Sequence, residues 1–160
     1  MRLAIELIPS TCWYSNVRSN VRPSTWDRLQ RSTFQAAGYV CEICGGVGAK
    51  HPVEAHEIWQ YDDHRLIQRL ERLIALCPRC HEVKHIGLAI ETGNAQRTLA
   101  WLCSVNAISP PEGLAYIKRA FQIHQIRSRF PWQLDIEQLT RDYGVILNKH
   151  GMEDGLPHSR

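Results

Sequence analysis

No run of apolar residues in this chain approaches the roughly 20 that a helix needs to cross a bilayer, so no membrane partner is expected. The opening stretch Met1-Arg-Leu-Ala-Ile-Glu-Leu-Ile lacks the unbroken apolar core of a secretory signal, because Glu6 interrupts it, and it alternates as a strand does. Internal repeats and low-complexity tracts are missing too. Charge of one sign is scarce: 19 Lys and Arg stand against 16 Asp and Glu, a formal +3 that by itself implies no polyanionic partner. What remains is a chain of 160 residues, 44% hydrophobic, enough for a globular domain with a buried interior or for one core with an accessory helical lobe.

Cysteine, by contrast, is present in an ordered pattern. Cys41-Glu-Ile-Cys44 and Cys77-Pro-Arg-Cys80 are CxxC units with 32 residues between them. Each turn points two sulfurs at one centre, and two such turns complete the tetrahedral four-thiolate set that Zn²⁺ prefers. Paired CxxC spacing without an export signal favours a metal in a reducing, cytoplasmic setting over disulfides. Cys12 and Cys103 are left over and are expected to be reduced, packed thiols. Two histidines accompany the cysteines: His56, within the strand-like run 53–59, and His81, directly after Cys80. Around them gather Lys50, Arg65, Arg69, Arg72, Arg79 and Lys84, with Arg18, Arg22, Arg28 and Arg31 upstream. Such clusters attract phosphates by counterion release without reading sequence. They read equally as solvated faces balanced by acids elsewhere.

The coarse elements follow from periodicity and punctuation. A strand is expected over 3–8 and a loop over 11–22. A helix follows to about Ala37, opened by the capping box Ser24-Thr-Trp-Asp27 and closed by Gly38. The glycines of 45–48 suit knuckle geometry rather than a phosphate loop. Residues 53–59 read as a strand, and 66–76 fit either a helical face or an extended one; the need to return to the second CxxC favours an antiparallel strand. Pro78 opens a helix running to about Glu91, and further helices are expected over 95–105, 109–127 and 137–143, with a short strand at 132–136 and a frayed last ten residues. This gives an α+β fold in three segments: 1–40, a strand, loop and helix; 41–91, a zinc-binding core; and 92–160, a helical extension. Trp13, Trp26, Trp101 and Trp132 read as packing residues rather than base-stacking platforms, and His51 and His64 as loop residues.

The run Leu73-Ile-Ala-Leu76-Cys77-Pro-Arg-Cys80-His81-Glu-Val-Lys84, taken with the first CxxC and His56, resembles the HNH endonuclease family, the ββα-metal nucleases. The resemblance covers about 45 residues. It implies a zinc-bound ββα core and metal-dependent hydrolysis of DNA, with double-stranded DNA as partner. By the same alignment His56 is the general base, with Trp59 where the family usually has proline, and His81 holds a catalytic divalent ion such as Mg²⁺, Mn²⁺ or Ni²⁺. His85 lies one turn on, about 40° further round a regular helix, and can face the same ion. The four cysteines hold a separate structural zinc. Two positions differ from the family pattern: Ala55 stands where a metal-binding Asp or His is usual, and Arg72 where an asparagine orients the loop and the histidine. Glu54, Glu57 and Asp62 are the nearby carboxylates available to compensate. A register moved by one residue would instead make His56 a metal ligand and Glu57 the base. Two other classes stay open: a zinc-stabilised nucleic-acid-binding module without catalysis, and a protein-interaction domain that uses the zinc knuckles as scaffold.

Overall fold

The computed structural model describes residues 1–12 and 16–156, so Trp13 lies outside the described residues. At the centre stands a hairpin, β1 (Glu54–Asp62) and β2 (Ile67–Leu76), antiparallel, with β3 (Gln133–Asp135) added parallel to β2 in the order β1-β2-β3. Its register explains why the pattern of 66–76 fits a helical face as well as the extended one it adopts. Trp59 lies opposite Leu70 and Ile58 opposite Arg72, which leaves Glu71 as an extra residue in a bulge. Leu70 and Leu73, three residues apart, therefore share one face of the sheet, an apolar spacing that imitates a helix.

Each face of the sheet carries its own core. Ile58, Ile74 and Leu76 face the helices that follow the hairpin, and pack with Leu3, Ile43, Val83, Ile86 and Leu102. Trp59, Leu70 and Leu73 face the other way, towards Val17, Leu29, Ile136 and Leu139. These second partners come from α1 (Val17–Asn20), α2 (Pro23–Ala36) and α7 (Gln138–Tyr143), and from the approach to α7. Residues from all three sequence segments thus share the interior.

Four expectations are corrected here, the first being the 11–22 loop, in which Asn16 and Ser19 form a capping box that opens the four-residue helix α1. Residues 3–8 form no strand: Arg2 and Leu3 donate backbone N–H groups to the Asn106 side chain, Ile5 donates to the Tyr116 hydroxyl, and Glu6 donates to the Lys84 carbonyl. The expected alternation survives as burial of Leu3 and Ile5, but no neighbouring strand edge supplies a ladder. Helix α2 does not begin at a Ser24–Asp27 box; Pro23 occupies its first turn and Arg22, in extended conformation, precedes it without a side-chain cap. The expected 78–91 helix is two, α3 (Pro78–Lys84) and α4 (Ile86–Glu91), broken at His85, whose φ of −101° and ψ of 42° leave the helical region. Lys84 and Ile86 are both buried, so the break is anchored on each side. Helices α5 (Ala95–Asn106) and α6 (Pro110–Arg127) follow, the latter with a full capping box between Ser109 and Glu112.

The C-terminal stretch is tied down through Glu153, which is 4% exposed. Its carboxylate accepts from the Arg22 backbone N–H at 2.6 Å, from the Arg22 guanidinium and from the Thr25 hydroxyl, so it serves the start of α2 in place of a local cap. Burial acts to raise the Glu153 pKa, but the bonds from Arg22 and Thr25 outweigh it and hold the group below its ordinary value. Glu153→Ala is expected to cost about 2 kcal/mol at neutral pH, the scale of lost hydrogen bonds to a buried charged group. Because the folded value is depressed, this contribution is complete above the ordinary 4.5 and fades as pH falls through the folded value. Melting curves of both proteins should therefore converge in acid; a pH-independent gap would count against the assignment.

Candidate metal and histidine centre

The four paired cysteines meet at one point. Their sulfurs lie within 4.8 Å of one another, and Cys44 and Cys77 are 3.6 Å apart. A tetrahedron with metal–sulfur bonds of about 2.3 Å has edges of about 3.8 Å, so the set fits a zinc-sized ion. The first knuckle is closed by backbone bonds from Gly45 to the Cys41 carbonyl and from Cys41 to the Gly46 carbonyl, with Gly45 at φ +75°. A side chain at Gly48 would meet the His51 carbonyl and the Pro78 ring, so glycine there lets the knuckle sit against α3. Cys77 precedes α3 and Cys80 lies in its first turn. The Gly46 N–H and the Trp101 indole N–H point at Cys44 and Cys80 sulfurs, 3.4 and 3.3 Å away. Close contact within the sulfur set pulls the Cys41 thiol pKa down and pushes that of Cys80 up. Four sulfurs this close lose all their protons only against a cation. Cys12 and Cys103, outside this group, are buried free thiols.

A second group lies on the sheet face that α3 covers. His56 projects from β1, His81 from α3 and His85 from the break, and one ring nitrogen of each lies within 4.8 Å of the others. The ring centroids are 4.8 to 5.2 Å apart, edge to face. Nε2 of His81 and Nε2 of His85 face each other at 3.2 Å. The Glu54 carboxylate bonds Nδ1 of His81 and also meets His51, so His81 donates from Nδ1 and keeps Nε2 as its lone-pair nitrogen. Burial works against the Glu54 charge, but the bonds from His51 and His81 hold its pKa below the usual value. Two converging imidazole nitrogens with an outer carboxylate fit a divalent transition ion.

His56 is 6% exposed. Burial lowers its pKa, against the pull of Glu6, whose carboxylate lies 3.3 Å from Nε2. The other Glu6 oxygen accepts from the buried Lys84 ammonium at 2.5 Å. Burial and the two neighbouring histidines lower His85 to about 4. Glu6, His56, His81 and His85 border a groove of about 610 Å³ whose walls include Leu7, Trp26, Leu88 and Phe121.

The carboxylates named from sequence separate. Glu54 is on the histidine face, as an outer partner of His81. Glu57 is on the opposite face, where its carboxylate accepts from the Val17 N–H at 2.8 Å and burial pushes its pKa up to about 7. Asp62 accepts from the backbone of His64 and Arg65 in the hairpin turn. Arg72 reaches Glu42, 2.8 Å away, and so joins β2 to the first knuckle. Glu6 was missed as a site residue; its signal was a lone charge within an apolar segment. The basic cluster is compensated in part: Arg22, Arg65, Arg69, Arg72 and Lys84 pair with Glu153, Asp62, Asp135, Glu42 and Glu6, and Arg79 lies over the Trp101 ring. Trp26, Trp101 and Trp132 are partly buried packing residues. No helix among the described residues is long and apolar enough to cross a membrane. Comparison with protein-family models, with curated proteins and with solved structures returns no match for this chain.

Proposed function

We propose that the protein is a metal-dependent endonuclease of the HNH type that hydrolyses DNA phosphodiester bonds. The observation that carries the reading is the convergence of His56, His81 and His85 in the wall of a groove, on a hairpin-and-helix unit joined by the four-cysteine set. In this reading His56, buried and uncharged at neutral pH, takes a proton from the attacking water. Nε2 of His81, left facing the site because Nδ1 bonds Glu54, and the His85 imidazole hold a divalent ion. When bound, that ion supplies positive charge to the phosphate and to the leaving oxygen. The cysteines hold a structural zinc that fixes the first knuckle to the start of α3, and through α3 the position of His81.

The second reading is a zinc-stabilised nucleic-acid-binding module without catalysis. It is favoured by Ala55, which offers no ligand, and by the absence of any carboxylate from the histidine group among the described residues.

The donor set makes a specific demand on the ion. Imidazole nitrogens favour Ni²⁺, Co²⁺ or Zn²⁺ over Mg²⁺, which prefers oxygen. Plasmid nicking by protein carrying one zinc is expected to be at least about 10-fold faster with added Ni²⁺ or Co²⁺ than with Mg²⁺. Faster nicking with Mg²⁺ would remove His81 and His85 as the ion's holders. No nicking with any ion, alongside salt-sensitive DNA binding, would leave the binding module.

A further inference from the structure

We propose that Glu6 is the positioning residue for His56: its carboxylate, brought in by the N-terminal segment, fixes the imidazole with the proton on Nε2 and the lone pair on Nδ1. The inference deepens the hydrolytic reading and rests on it for the consequence in catalysis, though not for the geometry.

One Glu6 oxygen lies 3.3 Å from Nε2 of His56 and the other 2.5 Å from Nζ of Lys84. The Lys84 side chain is 4% exposed, so its ammonium has little water to satisfy it and keeps the Glu6 carboxylate ionised. An ionised carboxylate only accepts, so the nitrogen facing it carries the hydrogen. Nδ1 is then the basic nitrogen. Glu6 is itself held at two points, because its backbone N–H donates to the Lys84 carbonyl at 3.3 Å. Ile5 is buried and Leu7 packs against the same core, which sets the direction of the residue between them.

The rival acceptors are engaged elsewhere. Glu54 holds His51 and His81, and Glu57 holds the Val17 N–H on the opposite face. Arg72, which occupies the position where the family resemblance places an orienting asparagine, is bonded to Glu42. A buried imidazole aligned by an outer carboxylate is the arrangement that keeps a histidine base in one tautomer and one orientation. Here that carboxylate comes from 50 residues away in sequence. The arrangement also gives the 3–8 segment a role that its lack of strand pairing leaves otherwise unexplained.

The test uses histidine labelled with ¹⁵N in protein carrying its structural zinc and no other ion, so that the tautomer is read without any cleavage. Glu6→Met/Lys84→Met replaces the buried ion pair by apolar side chains of similar length, a change that buried pairs often tolerate. Glu6→Gln keeps a single acceptor oxygen, which the Lys84 ammonium takes, so its amide N–H group faces Nε2 of His56. The expected result is the Nε2–H tautomer of His56 in the wild type, the Nδ1–H tautomer in Glu6→Gln, and a mixture in the double variant, at unchanged zinc content. With an activating ion, kcat of the double variant and of Glu6→Gln is expected to fall on the order of 100-fold with KM little changed. An Nε2–H tautomer that persists in a folded double variant overturns the proposal, as does a kcat that stays at the wild-type level. A tautomer that shifts in a protein that cleaves with no ion leaves Glu6 orienting His56 and removes the hydrolytic reading.

Discussion

Cys80→Ser is expected to remove the zinc and to collapse the cooperative melting transition. Metal content after dialysis against a mild chelator should drop from about one per chain to near zero. Cys80 is fully buried in the first turn of α3, its sulfur receives the Trp101 N–H, and it completes the four-sulfur set. Zinc bound to four thiolates contributes on the order of 10 kcal/mol to folding at neutral pH, as much as the whole net stability of an ordinary domain. The loss should spread beyond the knuckle, because Glu42 of the first CxxC bonds the Ala75 backbone in both directions and also Arg72. Cys103→Ser is the matched control: a buried thiol outside the set, whose replacement should leave zinc content unchanged. Stoichiometric zinc in chelator-treated Cys80→Ser would show that the four sulfurs are not the ligands.

His56→Ala is expected to lower DNA cleavage by about 10³-fold, within the range for loss of a general base, while binding of the second ion persists. His81→Ala should abolish both. The contrast follows from position. His81 on α3 and His85 at the break after it face each other at 3.2 Å, whereas His56 is bonded to Glu6 from the side. Co²⁺ titration of protein already carrying zinc separates the two steps, because the added ion reports on the histidines alone. If His56→Ala loses Co²⁺ as completely as His81→Ala, then His56 is a ligand and the base lies elsewhere. Since His56 is buried, the same comparison with His56→Asn, alongside melting curves, guards against a merely unfolded variant.

Much of the site was legible because its signals are local. The spacing of Cys41, Cys44, Cys77 and Cys80 marks a tetrahedral sulfur set, and the four sulfurs do converge. The strand at 53–59 and the return at 66–76 were legible from alternation and from the geometric need to come back to the second CxxC, and both appear as β1 and β2. Other features depended on partners distant in the chain. The 3–8 segment carries a strand's pattern, yet strand formation requires a free sheet edge, and its backbone finds side chains of α5 and α6 instead. The Ser24–Asp27 box was a valid local signal overridden by Glu153, a residue expected to lie in a frayed end. The bulge at Glu71 decided which leucines share a face, and no single-strand pattern contains that information.

The sequence by itself determined the class of chemistry available: four thiols in two turns, histidines on a strand and after the last cysteine, and an α+β chain around them. Only the tertiary structure decided which charges serve that chemistry. Glu6 and Glu54 meet histidines 50 and 27 residues away, while Arg22, Arg69 and Arg72 turn to carboxylates. The reason is physical. A metal turn is specified over four residues by backbone geometry, whereas a buried carboxylate takes its partner from whatever donor the folded core places beside it, because leaving it unpaired away from water costs more than any local preference supplies.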